Sequence, residues 1–392
     1  MDKFTNPFKQ NRLVNVIFLS GVFLSFHYAL VAYINSSFLA SFFSDTQIST
    51  LYVLGALTEI IILLNISKII NKISNYRLTL YVIVLEFISM LGLISTTNPF
   101  LLAIYFISQM VCIPILGFNL DLFLDKFSTD ESKTGEVRGM YLSLGNITWI
   151  IAPALVALFL FDSQYWRIYT LALVFLVPLY FYIRNYFKNS SNFQLPDLKT
   201  KESIKEYMDD KNLYNILLAQ FTLQFFYAFM VVYTPLYLHN NIGFAWQETG
   251  LIFTIMLLPF VLFELPVGDL ADRKYGEKEF LTLGLVIMGL FTMLISFITV
   301  KSFWLWAIVL FMTRVGASLV EVTTDSYFFK KINRQKMELI SLYRMNRPLS
   351  YIITPILVVI AMQFVPFQYL FLLIGTVVII GTRFAIKLED TK

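Results

Sequence analysis

The sequence predicts an all-helical membrane protein of about twelve transmembrane helices, folded as two pseudo-symmetric six-helix bundles. Three observations predict it. Only 14% of the 392 residues are charged, while 57% are hydrophobic. A water-soluble domain carries about a quarter charged residues, so much of this surface must face lipid. Apolar residues also come in long runs, such as 13–34 and 280–300. About twenty residues at 1.5 Å rise cross a hydrocarbon core of roughly 30 Å, whereas a membrane β-barrel would alternate polar and apolar residues. Finally, Lys and Arg gather in every second loop.

In chain order, the first six spans fall near 13–35, 48–70, 78–97, 100–124, 138–160 and 167–187. The second six fall near 212–238, 248–270, 279–299, 302–329, 338–362 and 367–387. Between them, residues 188–211 are too rich in Lys, Asp, Glu, Ser and Asn to enter a bilayer, though 198–208 could lie along its surface. The expected organisation is therefore a bundle over 1–187, a linker over 188–211 and a bundle over 212–392. The first apolar stretch is long and lacks a small-residue cleavage site, so it is expected to remain as helix 1.

Basic residues set the orientation. Lys3, Lys9 and Arg12 precede helix 1; Lys68, Lys72 and Arg77 fill the second loop; Lys126, Lys133 and Arg138 fill the fourth. The linker, loops eight and ten and the tail are similarly basic, while the opposite side offers only Arg167 and Lys301. Short basic loops stay in the cytoplasm, which places both termini and the linker there. The expected location is the cytoplasmic (inner) membrane, crossed many times.

Composition also excludes partners. The net charge of +4 is spread over short loops, so no nucleic acid is expected. Cys112 is the single cysteine, and the two histidines lie far from it in sequence, which leaves neither an intrachain disulfide nor a metal-ligand pattern. The chain has no phosphate-loop motif and no Ser- or Cys-centred hydrolase motif. No cofactor and no enzymatic activity are expected.

The two halves echo each other at a spacing of about two hundred residues, with Pro153 and Pro355 at equivalent points of helices five and eleven. The same offset aligns two loops. From Glu264 the chain reads Glu-Leu-Pro-Val-Gly-Asp-Leu-Ala-Asp-Arg-Lys-Tyr-Gly-Glu-Lys. This resembles the Gly-x-Leu-Ala-Asp-Arg-x-Gly-Arg-Lys loop signature of the major facilitator superfamily, matched at Gly268, Leu270, Ala271, Asp272, Arg273, Gly276 and Lys278. One extra residue stands before Gly276, and Glu277 replaces a basic residue. The first-half copy, Asn71 to Arg77, is degenerate, with Ser in place of Gly. The resemblance implies the superfamily fold and a gating role for Gly268, Asp272, Arg273, Gly276 and Lys278. Gly268 would permit close helix approach and Gly276 a tight turn; the bland alternative is that these residues only brace the loop.

Ionisable groups inside the spans each need a partner or an aqueous cavity, since burial in lipid costs at least ~2.5–3.5 kcal/mol. Arg314, Glu321 and Asp325 share one face of helix ten, and Arg344 and Arg347 follow on helix eleven. Glu321, Asp325 and Arg344, with Asp121, Asp125 and Arg138 in the first half, are expected to form a gate ion-pair network. Arg314 and Arg347 lie deeper and are candidates for an anionic substrate. Glu59 and Glu86 have no evident partner; burial penalises their charge, which makes them candidates for proton coupling. His27, Gln109, Asn119, Gln220, Gln224 and Tyr227 are polar groups on helices one, four and seven. The resemblance implies that these helices line the cavity, so these residues join the substrate-binding candidates, although His27 could equally be a packing residue.

The expected function is secondary active transport of a small solute by alternating access, coupled to H+, in a monomer embedded in the bilayer. The glycine-rich helix-five pattern of drug–proton antiporters is missing, which lowers the alternative of lipophilic-cation efflux. A non-transporting sensor or scaffold with the same fold is the alternative of another class.

Overall fold

The computed structural model describes residues 12–127, 134–188, 205, 207–271, 276–332 and 337–389, and every regular element among them is helical. In the first half α1 spans Arg12–Ala32, α2 Asn35–Leu39, α3 Asp45–Leu64, α4 Ile66–Ile73, α5 Asn75–Ser95, α6 Pro99–Phe127, α7 Thr134–Phe159 and α8 Trp166–Tyr186. In the second half α9 spans Lys211–Leu236 and runs on through a π-helical turn, Tyr237–Ile242. There follow α10 Trp246–Leu270, α11 Glu277–Ile295, α12 Phe303–Lys331, α13 Met337–Arg344, α14 Asn346–Ala361 and α15 Leu370–Ile386.

Ten helices among the described residues are long and apolar enough to cross a membrane: α1, α3, α5, α6, α8, α9, α10, α11, α12 and α15. The remaining two predicted spans map to shorter pieces. In α7 the apolar stretch is Ser143–Phe159. Predicted helix eleven is broken at Met345 into α13 and α14. Pro348 explains the break: it has no N–H to give the carbonyl of Arg344, yet it fits the first turn of a new helix. Predicted helix two likewise divides into α3 and α4 at Asn65, whose side-chain amide turns back to the carbonyl of Ile61 at 2.9 Å. Large apolar side chains such as Phe100, Trp304 and Phe364 stand 73%, 67% and 79% exposed, as on a surface that meets lipid rather than water.

Local chemistry starts the helices. Ser44 and Gln47 form a reciprocal capping box ahead of α3, and Asp210 accepts from the amides of Asn212 and Leu213 ahead of α9. The caps of α5 and α11 carry the internal repeat into the backbone. Ser74 holds φ 73° and Gly276 φ 80°, and both immediately precede a helix. They sit at the same relative position of the two halves, so the backbone demands a left-handed residue there in each. The second half meets that demand with glycine; the first half holds a serine against it.

In the first half α1 packs on α6, α7 and α8, while α5 packs on α6 and α8. In the second, α12 packs on α9, α10 and α11, and α15 on α9 and α11. Glycines allow some of these crossings. A Cβ on Gly316 would lie 2.4 Å from the backbone nitrogen of Met288, so α11 and α12 touch backbone to backbone there. Gly268, expected to serve the same purpose, does not: a Cβ there would rest 3.5 Å from Val322, an ordinary contact. Between the halves, α3 packs on α14, α7 on α10 and α2 on α9.

Candidate functional site

The α3–α14 pairing places a cavity between the halves. Counted together with the solvent-open space at its mouth it measures about 460 Å³, and it is walled by α1, α2, α3, α6, α9 and α14. Breaks in the helices bring polar groups to it. Asn35 opens α2 just past the end of α1, and Arg347 lies in the first turn of α14. Pro114 withholds the hydrogen bond that the carbonyl of Met110 would otherwise take within α6, and both residues line the wall.

One acidic and one basic side chain face this space. Glu59 of α3 is 6% exposed and has no hydrogen-bond or ion-pair partner among the described residues. Arg347 of α14 donates from Nη2 to the Tyr28 hydroxyl, and its guanidinium lies 5.1 Å from the centre of that ring. Tyr52 and Tyr351, one from each half, stack at 6.0 Å beside it. Below them Asn35 donates to Gln109 Oε1 at 3.3 Å and accepts from the Tyr169 hydroxyl at 2.7 Å. Gln109 in turn donates toward the Met90 sulfur at 3.0 Å. Of the predicted site residues, the cavity thus gathers Glu59, Gln109 and Arg347. Tyr52 and Tyr351 were not singled out, because tyrosines are too abundant in this chain for any two to stand out by sequence.

Several expectations need correction. Glu86 is not without a partner: its Oε1 lies 2.7 Å from His27 Nε2, and both side chains are completely buried between α5 and α1. His27 Nδ1 sits 3.1 Å from the Ala172 carbonyl, which can only accept, so Nδ1 carries a proton. A second proton then bridges Nε2 and Oε1, and the pair is neutral overall whichever atom holds it. The other oxygen of Glu86 is buried with no hydrogen-bond partner among the described residues. His27 is therefore a partner of Glu86 rather than a residue of the cavity wall. Asn119 and Gln220 do not line the cavity either. Asn119 is fully buried and its backbone oxygen accepts from Asn75, while Gln220 accepts from Thr324 at 3.3 Å, tying α9 to α12. Gln224 is half-buried on α9.

The gate network is also wired differently from expectation. Arg344 pairs across the halves with Asp121 at 2.7 Å, not with Asp325. Asp325 accepts from Tyr343 at 2.7 Å and Glu321 from Tyr227 at 2.6 Å. The reason is geometric: α13 ends at Arg344, which carries the side chain away from α12 toward α6. Asp125 lies one turn beyond Asp121. Arg138 is in the first turns of α7, but its side chain, like Asp272 and Arg273, lies outside the described residues. Gly276 makes the expected turn, and Lys278 follows in the first turn of α11. Glu277, which departs from the signature, is fully buried and binds Lys330 and Ser326 of α12. Arg314 is 1% exposed, with its guanidinium 4.9 Å from the Phe226 ring and 5.5 Å from Tyr227. Its Nε and Nη1 meet no hydrogen-bond partner among the described residues.

Contacts between the halves lie at both ends of the cavity. At one end Ser49 meets Tyr233 at 2.8 Å, Gln247 donates to the Leu160 carbonyl at 3.1 Å, and Tyr165 packs edge-on against Trp246 at 5.7 Å. Gly250 lets α10 lie on α7, since a Cβ there would come within 2.5 Å of the Pro153 carbonyl. Toward the other end Asn146 donates to Glu264 at 2.9 Å, and beyond it stands the Asp121–Arg344 pair.

Many apolar spans around an inter-half cavity define a multi-pass membrane protein. Residues 216–391 match the family described as Major Facilitator Superfamily. The chain is similar in fold to a mutant form of the nucleoside transporter NupG, with a TM-score of 0.74 and 11% identity over 96% of this chain and 99% of that one. It is similar to an auto-inhibited POT family peptide transporter, with a TM-score of 0.77 and 9% identity over 97% and 98% of the two chains. A POT family transporter in complex with 5-aminolevulinic acid gives a TM-score of 0.75 and 14% identity over 94% of each chain. No curated protein matches by sequence. The family model thus matches the second half of the chain, and the chain as a whole shares the fold of these transporters.

Proposed function

We propose that this protein is a secondary active transporter that moves a small solute by alternating access, with the binding site in the cavity between residues 1–187 and 212–392. The observation that carries this reading is the cavity itself. Both halves wall it, and separate inter-half contacts lie at either end. In this reading the chain has twelve spans in two six-helix bundles, and the basic loops put the Asp121–Arg344 end in the cytoplasm. Closure at the Ser49–Tyr233 end and opening at the Asp121–Arg344 end then alternate with the reverse.

Proton coupling is part of the proposal. Glu59 faces the substrate space, and the Glu86–His27 pair offers a buried proton store inside the first bundle. Arg314, with two nitrogens unpartnered among the described residues, and the tyrosine-bound Glu321 and Asp325 would exchange partners as the bundles rock. Efflux of lone lipophilic cations fits less well, because Arg347 would repel them.

Alternating access is tested without knowing the cargo. Val231 lines the cavity and Cys112 is buried. A Val231→Cys variant on a Cys112→Ser background should react with membrane-impermeant maleimide added to either side of oriented vesicles. Adding Gly250→Leu should bias labelling to the side of the Ser49–Tyr233 end. Labelling from one side only, unchanged by the wedge, is the result expected of a static scaffold and would reject transport by this route.

A further inference from the structure

We propose that the cargo is a small zwitterion, held with its anionic group at Arg347 and its cationic group at Glu59; this rests on the reading of the cavity as the transport site.

Charge balance in a low-dielectric space selects the class of cargo. Glu59 is more than nine-tenths buried, lines the cavity and has no partner among the described residues. Arg347 lines the same cavity from the opposite half, and one Tyr28 hydroxyl engages only part of its five-donor fork. The two charges do not form an ion pair with each other. Each feels the other across the cavity without contact, so each keeps hydrogen-bonding capacity that a ligand can fill. A lone anion would satisfy Arg347 but meet repulsion from Glu59. A lone cation would satisfy Glu59 but meet repulsion from Arg347. A molecule with both groups satisfies both and enters without changing the net charge of the site.

The remaining wall agrees with this. The stacked Tyr52 and Tyr351 rings and Val231 offer an apolar flank for the carbon skeleton. Asn35 and Gln109 spend polar groups on each other and on Tyr169 and Met90. The Glu59 and Arg347 side chains are thus left as the charged anchors. Because one belongs to each half, a zwitterion would also tie α3 to α14, and the two charges would drive closure only when both are complemented.

The test uses the full-length protein in detergent. Ligand binding is followed by thermal shift and calorimetry with ω-amino acids of increasing chain length, and with the n-alkylamine and n-alkanoate of each length. One or more ω-amino acids should bind, with both single-charge analogues about 100-fold weaker or worse. Glu59→Gln, which keeps the side-chain shape, should then admit the alkanoate as well as the zwitterion. Arg347→Gln should do the same for the alkylamine. Val231→Trp, which fills the space, should abolish binding.

Other results overturn the idea in distinguishable ways. If an alkanoate binds as tightly as the zwitterion and Glu59→Gln changes neither, the zwitterion is wrong. The cavity still stands as the site if Val231→Trp removes that binding. A ligand indifferent to Val231→Trp, Glu59→Gln and Arg347→Gln would instead remove the cavity from consideration. Silence across the whole series rejects the zwitterion class, and the maleimide experiment then decides on its own whether the cavity opens to both sides.

Discussion

At the scale of single residues, the most costly groups in this protein are buried charges, and each is handled differently. Glu86 is paired with His27 inside the first half, so removing one partner strands the other in an apolar core. His27→Ala should lower stability by about 3–5 kcal/mol, visible as a large fall in thermal midpoint in detergent. Glu86→Gln should be much milder, because the amide can still donate to Nε2, but it removes an exchangeable proton. On the proton-coupled reading, Glu86→Gln retains counterflow and loses uptake driven by a pH gradient; unchanged gradient-driven uptake would exclude this pair. Ser74 carries a different burden, a backbone angle suited to glycine. Ser74→Gly should stabilise the protein by about 1 kcal/mol, since relief of strain exceeds the weak cap to Arg77 and the added chain entropy. Gly276→Ser should act in the opposite sense, and thermal unfolding of the two variants checks both.

At the scale of helices, small residues and prolines decide how closely elements approach and where they break. The α11–α12 crossing is a backbone contact at Gly316 and Gly284, with no room for a methyl group. Gly316→Ala should therefore push the helices apart and cost about 1–3 kcal/mol, measured as a lowered thermal midpoint. The α7–α10 crossing at Gly250 is equally tight but joins the two halves, so a bulky residue there acts on conformation more than on folding. Gly250→Leu should leave each half packed while preventing closure at the Ser49–Tyr233 end. Its signature is altered cavity labelling with little loss of thermal stability; a collapse of stability would mean that this contact is structural.

At the scale of the molecule, the halves meet through the α3–α14, α7–α10 and α2–α9 packings and through polar contacts such as Asp121–Arg344. The Asp121–Arg344 pair is 24% and 40% exposed on its two side chains, so solvent screens it and it contributes only about 0.2–1 kcal/mol. That is too little to hold the fold but enough to shift a balanced two-state equilibrium by up to about fivefold. Asp121→Asn should thus leave the melting temperature nearly unchanged and favour opening at that end, reported by distances between spin labels on α6 and α14. Exchanging the charges, Asp121→Arg with Arg344→Asp, should restore the original distribution.

What the sequence determined by itself was the class of the molecule. Hydropathy, charge placement and the repeat linking Pro153 to Pro355 and Ser74 to Gly276 are properties of local windows or of fixed offsets, and lipid immersion makes them decisive. It also singled out Glu59, Gln109 and Arg347, because polar groups inside apolar spans are conspicuous. It did not pair them. His27 and Glu86 lie on helices that become neighbours only in the folded bundle, and Arg344 reached Asp121 rather than Asp325 because Pro348 breaks the helix just beyond it. Tertiary structure alone decided which buried charges meet one another and which are left facing the cavity, since helix packing sets distances that no spacing along the chain encodes.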